Sequence, residues 1–454
     1  MTQYNRAERI FPVTLDLLIR NAVCVSHNGI EPADIAVRDG IIVAIGHLGN
    51  VEAEEVLNAN GLHLFPGVID SQVHFREPGA EQKEDLESGS RAAVIGGVTS
   101  VFEMPNTKPT TSTVKALKDK ISRATDRMWC DFAFYVGATS GNAARIASLE
   151  KQPGCAGIKI FMGSSTGDLL VADDESLEKV LSNGFRRIAI HAEDEDRLLE
   201  RKDMAEHGGV SQHPVWRDEE TAIRATERIL RLARKTGRRI HLLHVTTEDE
   251  MAILAANKDI ATVEVTPQHL TLSSPDCYED LGTYAQMNPP IRDERHRQAL
   301  WKALSVGIVD VIGSDHAPHE KEMKALNYPL SPSGMPGVQT LVPLMIDHVN
   351  KGNLSLERFM DLTSAGPARV FNIAGKGRLA VGYDADFTVV DLKKKWVITE
   401  DWLQSKCGWS PFTDRQMIGK PVGTFVRGNK VMWEGALAVE AKGQPIRFQE
   451  TLGK

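Results

Sequence analysis

No apolar run in this 454-residue chain approaches the ~18 residues that a helix needs to span a bilayer. The N-terminus also lacks a basic-then-apolar signal pattern, because Asp16 interrupts its most hydrophobic stretch. Cysteine is scarce. The five residues at 24, 130, 155, 277 and 407 are odd in number and widely spaced, which fits neither a disulfide framework nor a Cys-based zinc knot. A reducing cytoplasm is therefore the expected compartment. Basic charge is not in excess: Lys and Arg total 53 against 61 Asp and Glu, a net charge of −8. Nucleic acid is an unexpected partner, since phosphate binding needs a concentrated basic surface. Neither a Gly-x-Gly-x-x-Gly nor a P-loop pattern occurs, and there is no low-complexity tract or short-period repeat.

What is present is the composition of an ordinary globular protein, 42% hydrophobic and 25% charged. The length accommodates one α/β barrel of about 250 residues with appendages. Short β-branched runs at 17–25 and 34–46, the second broken by Asp39-Gly40, predict a small β unit with a hairpin turn. The same texture returns at 385–392, 423–427 and 430–433, with Gly428-Asn429 as a turn, so the two ends are expected to pair. Between them, apolar runs of about six residues alternate with helical stretches such as 218–236. Eight such runs stand at 68–74, 99–105, 131–136, 156–162, 187–193, 239–245, 261–267 and 310–318. A doubly wound open sheet alternates in the same way, but eight strands without a Gly-rich first turn favour a closed (β/α)8 barrel. The expected division is 1–65 and 375–454 as the two parts of the β unit and 66–374 as the barrel.

These strands end in polar residues of metal-ligand type: His74, Lys159, His191, His244 and Asp315. In a barrel, every strand's C-terminal end opens onto one face, so the five would converge there. Three imidazoles and a carboxylate match zinc, with room left for water. Singly, a His at a strand end is more often structural; it is the set that carries the signal. Lys159 lies inside the apolar stretch Gly-Ile-Lys-Ile-Phe, where an unpaired ammonium is costly. Two explanations stand: an ion pair with Asp or Glu, or carboxylation by CO2 into an anionic bridge between two metals. In the stretch Gly-Ser-Asp-His-Ala-Pro-His at 313–319, His316 and His319 could themselves bind metal. The favoured assignment gives metal and proton to Asp315, substrate to His319 and a bracing role to His316. His241, three positions before His244, should face away from it. His63, His207 and His213 lack a convergent context, and His269 stays ambiguous. The segment 329–336, rich in Pro and Ser, reads as a loop beyond the last strand.

Residues 67–79 (Gly-Val-Ile-Asp-Ser-Gln-Val-His-Phe-Arg-Glu-Pro-Gly) resemble the metal-binding opening of cyclic amidohydrolases, and the Arg-Glu-Pro-Gly ending resembles that of dihydroorotases. The segments 104–109, 158–163, 287–292, 313–319 and 334–338 are similar to dihydroorotase motifs in content and order, and 382–387 with 410–412 extend the likeness into the C-terminal part. The resemblance implies a (β/α)8 TIM barrel with a composite β-sandwich from both termini and one or two zinc ions. It further implies reversible interconversion of N-carbamoyl-L-aspartate and L-dihydroorotate in pyrimidine synthesis. On this likeness His74 and Asp315 hold a first metal, His191 and His244 a second, and carboxylated Lys159 bridges them. Asp315 also moves the proton. Arg76, with its fork of donors, suits a bidentate grip on the substrate carboxylate. Asn106 and His319 complete that clamp, and Asn288 contacts the ring. A homodimer, and association with another pyrimidine enzyme, are further expectations from the resemblance.

One position departs from the family pattern. The usual first-strand motif is His-x-His, and here its first position is Gln72. Period two keeps Gln72 and His74 on one side, but an amide oxygen is a poorer zinc donor than imidazole. Three outcomes stay open: two metals with Gln72 as a weak ligand or water anchor, only the second metal held firmly, or an inactive scaffold beside another enzyme. Another cyclic amidase, of the hydantoinase or allantoinase type, would share the metal centre without needing a carboxylate clamp.

Overall fold

The computed structural model describes residues 14–163 and 169–452, so the first thirteen residues of the expected N-terminal part lie outside it. The β-branched runs near the start form β1 (Leu15–Ser26), β2 (Gly29–Arg38), β3 (Ile41–Gly46), β4 (Ala53–Asn58) and β5 (His63–Pro66). At the β2–β3 turn, Asp39 and Gly40 both have positive φ, 52° and 74°, as the Asp-Gly signal predicts for a two-residue hairpin loop.

All eight apolar runs become parallel strands. They are β6 (Val68–Val73), β7 (Val98–Glu103), β8 (Asp131–Gly137), β9 (Cys155–Phe161), β10 (Ile188–His191), β11 (Ile240–Leu242), β12 (Ala261–Val265) and β13 (Val311–Ile312). They hydrogen-bond in unbroken sequential order from β6 to β13. The first and last are joined by a parallel bridge between Val73 and His316, with the His74 N–H donating to the His316 carbonyl at 2.7 Å. Strands β6 to β9 are buried at every position, as expected when helices cover the outside and side chains fill the inside. The covering helices carry ordinary local signals. In helix Glu219–Thr236 the Asp218 carboxylate caps the Thr221 N–H, acids fill the first turn and bases the last, and Gly237 at φ 70° ends it.

Several runs outlast their strands. The 239–245 run is strand only to Leu242 and the 310–318 run only to Ile312. His244 and Asp315 lie two and three residues further on, at φ 38° and 45°. This left-handed backbone, rare away from glycine, breaks the strand period and re-aims both side chains. It also corrects the expectation for His241, which points into the barrel interior, bonded to Thr262 Oγ1 at 2.8 Å and stacked edge-on against Phe371.

The C-terminal part adds β14 (Phe387–Val397), β15 (Gln416–Val426), β16 (Asn429–Trp433) and β17 (Ala436–Leu437). Strand β14 pairs antiparallel with β5, which joins both ends of the chain in one nine-stranded sheet. Leu17, Ile35, Phe387 and Phe425 share an apolar cluster contributed by both ends. Beneath the barrel, Lys376 bonds Asp131, Asp384 and Asp386, and Arg427 bonds Asp131. The final segment returns to the barrel base: Pro445 bridges Phe132, and Ile446 and Phe448 pack with Phe102, Tyr135 and Phe371. No helix among the described residues is long and apolar enough to cross a membrane.

Candidate metal centre

The structure brings the five proposed ligands to one cavity of about 100 Å³ at the C-terminal ends of the strands. Eight of the nine residues singled out from the sequence line it, as does Gln72; His319 stands just behind. Strand β10 ends on His191, whose Nδ1 lies 3.0 Å from His244 Nε2. Its other nitrogen donates to Glu193 Oε2 at 2.8 Å. Burial opposes ionisation of Glu193, but the Arg217 guanidinium at 2.6 Å and His191 hold its carboxyl well below the usual range. An ionised Glu193 accepts only, which leaves the His191 Nδ1 lone pair aimed at the cavity.

Across the cavity, His74 Nδ1 donates to Asn106 Oδ1 at 2.7 Å, so its Nε2 is the unprotonated nitrogen. That nitrogen faces Asp315 Oδ1 at 3.2 Å, acceptor against acceptor. A neutral ring facing a carboxylate in this way is stabilised by a cation between them. Two donors on one tetrahedral zinc, each at about 2.0–2.1 Å, stand about 3.3 Å apart. Both pairs are close to that spacing. Burial keeps His74 and, more strongly, His244 neutral, as ligation requires. Among the described residues, His244 Nδ1 and Gln72 Oε1 are buried without a partner. The donor set therefore fits a divalent metal.

Lys159 is 1% exposed and makes no ion pair among the described residues; its ammonium lies 4.5 Å over the Phe161 ring. Burial lowers its pKa to about 7, with Asp315 and Glu264 opposing from a distance. Of the two explanations for this lysine, ion pairing is not what the structure shows.

A cationic clamp adjoins these ligands. Arg76, at φ 64°, donates from Nε to the Pro318 carbonyl at 3.1 Å, and its Nη2 lies 3.3 Å from His319 Nε2. His319 donates from Nε2 to the Ser333 carbonyl at 3.0 Å and accepts from Lys83 Nζ at 3.2 Å. Burial, then Arg76 and Lys83, push the His319 pKa far down, so the ring is neutral between two cations. Asn288 accepts from His213 Nε2 at 3.0 Å, which gives His213 a bracing role its sequence context did not announce. His269 donates to the Pro289 carbonyl at 3.1 Å and is a structural residue. His316 accepts the Gly337 N–H at 3.0 Å, bracing the turn as expected.

Sequence reasoning missed Lys83, Glu193 and Asp70. Asp70 Oδ1 accepts the Ser314 and Gln72 N–H groups, tying β6 to the Asp315 turn. Glu193, two residues after His191, was the one with a readable signal. Two further groups of potential ligands are already satisfied. Asp131, Asp384 and Asp386 enclose the Lys376 ammonium. His296, near Glu219 and Asp293, accepts the Glu248 N–H at Nδ1 and donates from Nε2 to Glu219 at 3.1 Å.

The amidohydrolase family model matches residues 63–431, and the model for the urease alpha-subunit N-terminal domain matches 1–62. A dihydroorotase of Methanosarcina mazei is 36% identical over 97% of this chain and 98% of its own length. An L-hydantoinase of Paenarthrobacter aurescens is 33% identical over 94% and 96%. The solved L-hydantoinase (dihydropyrimidinase) of Arthrobacter aurescens superposes with a TM-score of 0.91 at 31% identity, covering 95% of this chain and all of that one. This chain belongs to the amidohydrolase family. It is a hydrolase acting on a cyclic amide, built as the barrel and two-ended sheet described above.

Proposed function

We propose that the enzyme interconverts N-carbamoyl-L-aspartate and L-dihydroorotate. The observation that carries this choice is the clamp: Arg76 and Lys83, with the neutral His319 ring between them, gather positive charge beside the metal ligands, where a substrate's extra carboxylate would sit. A neutral hydantoin ring has no use for it.

His191, His244, His74, Asp315 and Lys159 would hold one or two zinc ions. Such a cation would supply Lewis acidity to the ring carbonyl and acidify a water for attack on it. The chain's own residues do the rest. A lysine with pKa about 7 offers a free amine near neutral pH; that nitrogen adds to CO2, loses a proton and becomes an anionic carbamate able to serve two cations. Asp315 accepts the proton of the attacking water and returns it to the ring nitrogen as the C–N bond breaks; in the synthetic direction the same carboxylate works in reverse. Arg76 and Asn106 hold the carboxylate, with His319 bracing the clamp between Arg76 and Lys83, and Asn288, steadied by His213, contacts the ring. A homodimer working in the cytoplasm beside other pyrimidine enzymes belongs to the same proposal, with light scattering as its direct check.

The test is a paired assay of carbamoyl-aspartate cyclisation and hydantoin hydrolysis. Wild type is expected to favour the former. Losing a charge-assisted contact in Arg76→Ala should lower kcat/KM for dihydroorotate tenfold or more, about 1.5–3 kcal/mol. Undiminished dihydroorotate turnover with fast hydrolysis of a neutral ring would overturn the assignment in favour of a hydantoinase, the reading that the likeness to the L-hydantoinases supports. Metal-bound protein inactive on both would point to the scaffold alternative.

A further inference from the structure

We propose that Gln72 splits the metal centre into two unequal positions: a divalent ion is held tightly between His191 and His244 and only loosely between His74 and Asp315. The inference rests on the metal-dependent reading above and sharpens it, because that reading is satisfied by one ion or two.

The asymmetry is in the hydrogen bonds. At the first pair, two imidazole nitrogens face each other at 3.0 Å, and among the described residues no third side chain donates to either. Glu193 fixes the His191 ring from behind, itself clamped by Arg217. An imidazole backed by a carboxylate is a more basic and better-oriented ligand. At the second pair there is one imidazole, and the facing oxygen of Asp315 is already engaged: Gln72 Nε2 donates to Asp315 Oδ1 at 2.9 Å, the same oxygen that lies 3.2 Å from His74 Nε2. A cation entering there competes with that N–H for the oxygen.

Gln72 cannot serve both ends of its amide. With Nε2 on Asp315, its Oε1 is buried and has no partner among the described residues. Turning the amide to present Oε1 to a cation breaks the bond to Asp315 and sets a donor elsewhere in a closed pocket. The backbone does not allow a wider search, since the Gln72 N–H is tied to Asp70 Oδ1 at 3.2 Å and every residue of β6 is buried. Either orientation costs one interaction, and a neutral amide oxygen is in any case a weaker zinc donor than the nitrogen of an imidazole. The loose position is thus set by a single side chain, and a histidine or carboxylate at 72 should restore it.

The experiment uses full-length protein stripped by a chelator and titrated with Zn2+ in metal-buffered solution. Bound metal is counted by elemental analysis after dialysis at fixed free Zn2+, and the steps are resolved by calorimetry. Wild type should bind in two steps separated at least tenfold and retain one ion on dialysis. Gln72→His should retain two, with the steps merged to within tenfold. Gln72→Glu, which keeps the shape and supplies an anionic oxygen, should do the same and guards against a misfolded histidine variant; thermal melts of both verify folding. His244→Asn should abolish the tight step and leave the loose one. Two equal, tight ions in wild type would overturn the inference while leaving the proposed function intact, as would folded Gln72→His and Gln72→Glu proteins that both keep separated steps. Wild-type protein that binds no Zn2+ would instead sink the metal-dependent reading itself.

Discussion

The two ends of the barrel hold their charges on opposite terms. At the base, Lys376 is surrounded by three carboxylates, and although burial alone would favour its neutral form, they keep it firmly charged. Arg186 there is bound to the carbonyls of Cys155 and Ala156 and stacks on Phe448 at 4.1 Å. Towards the mouth Glu193 has Arg217, but for three other groups the same degree of burial is not offset by an ion pair among the described residues. Lys159 falls to about 7, while burial lifts Asp70 to about 7 and Glu264 to about 8. Charge at the base is matched within the chain and serves stability; at the mouth Lys159 has no ion partner among the described residues.

The sharpest way to break this contrast is at the base. Lys376→Met removes the cation shared by three buried carboxylates, leaving Asp386 without an ion partner among the described residues while Asp131 keeps Arg427 and Asp384 keeps Arg447, and should cost about 3–5 kcal/mol in urea unfolding, with kcat per folded molecule nearly unchanged. A smaller effect is expected in the barrel interior. Glu264 titrates at about 8 when folded against its ordinary 4.5, so the folded chain binds the extra proton between those values. Its contribution is greatest below 4.5 and is lost as pH rises to 8 and beyond. Metal-free Glu264→Gln should therefore lose less stability between pH 5 and pH 8 than metal-free wild type, as read from denaturant midpoints; equal losses would remove Glu264 from the account. The smallest change belongs to Lys83→Met at the rim. Its partly exposed ammonium should contribute about 1 kcal/mol, a roughly fivefold rise in KM for the carboxylated substrate with kcat and melting temperature preserved.

The eight strands were legible because a strand covered on both faces must be a short unbroken apolar run, and turn chemistry at Asp39-Gly40 is local. His74, Lys159, His191, His244 and Asp315 were legible because a barrel sends all its strand ends to one place. Sequence could not show where strands stop. The mouth residues stay buried past the last ladder bond, so period counting set His241 against His244 and missed the left-handed turn between strand and ligand. Lys83 and His213 escaped for another reason: each acts through a residue far along the chain, His319 and Asn288, and such meetings are decided by packing alone. The aromatic seal at the base is of the same kind, since nothing local to Phe448 announces Phe102 as its neighbour.

That seal has a consequence for assembly. Because Ile446 and Phe448 close the floor of a cylinder whose first stave is laid down at Val68, the structure is finished only when its last contributors leave the ribosome. Until then a nascent barrel shows the rings of Phe102, Tyr135 and Phe371 to water, a sticky surface for any chaperone that scans emerging chains.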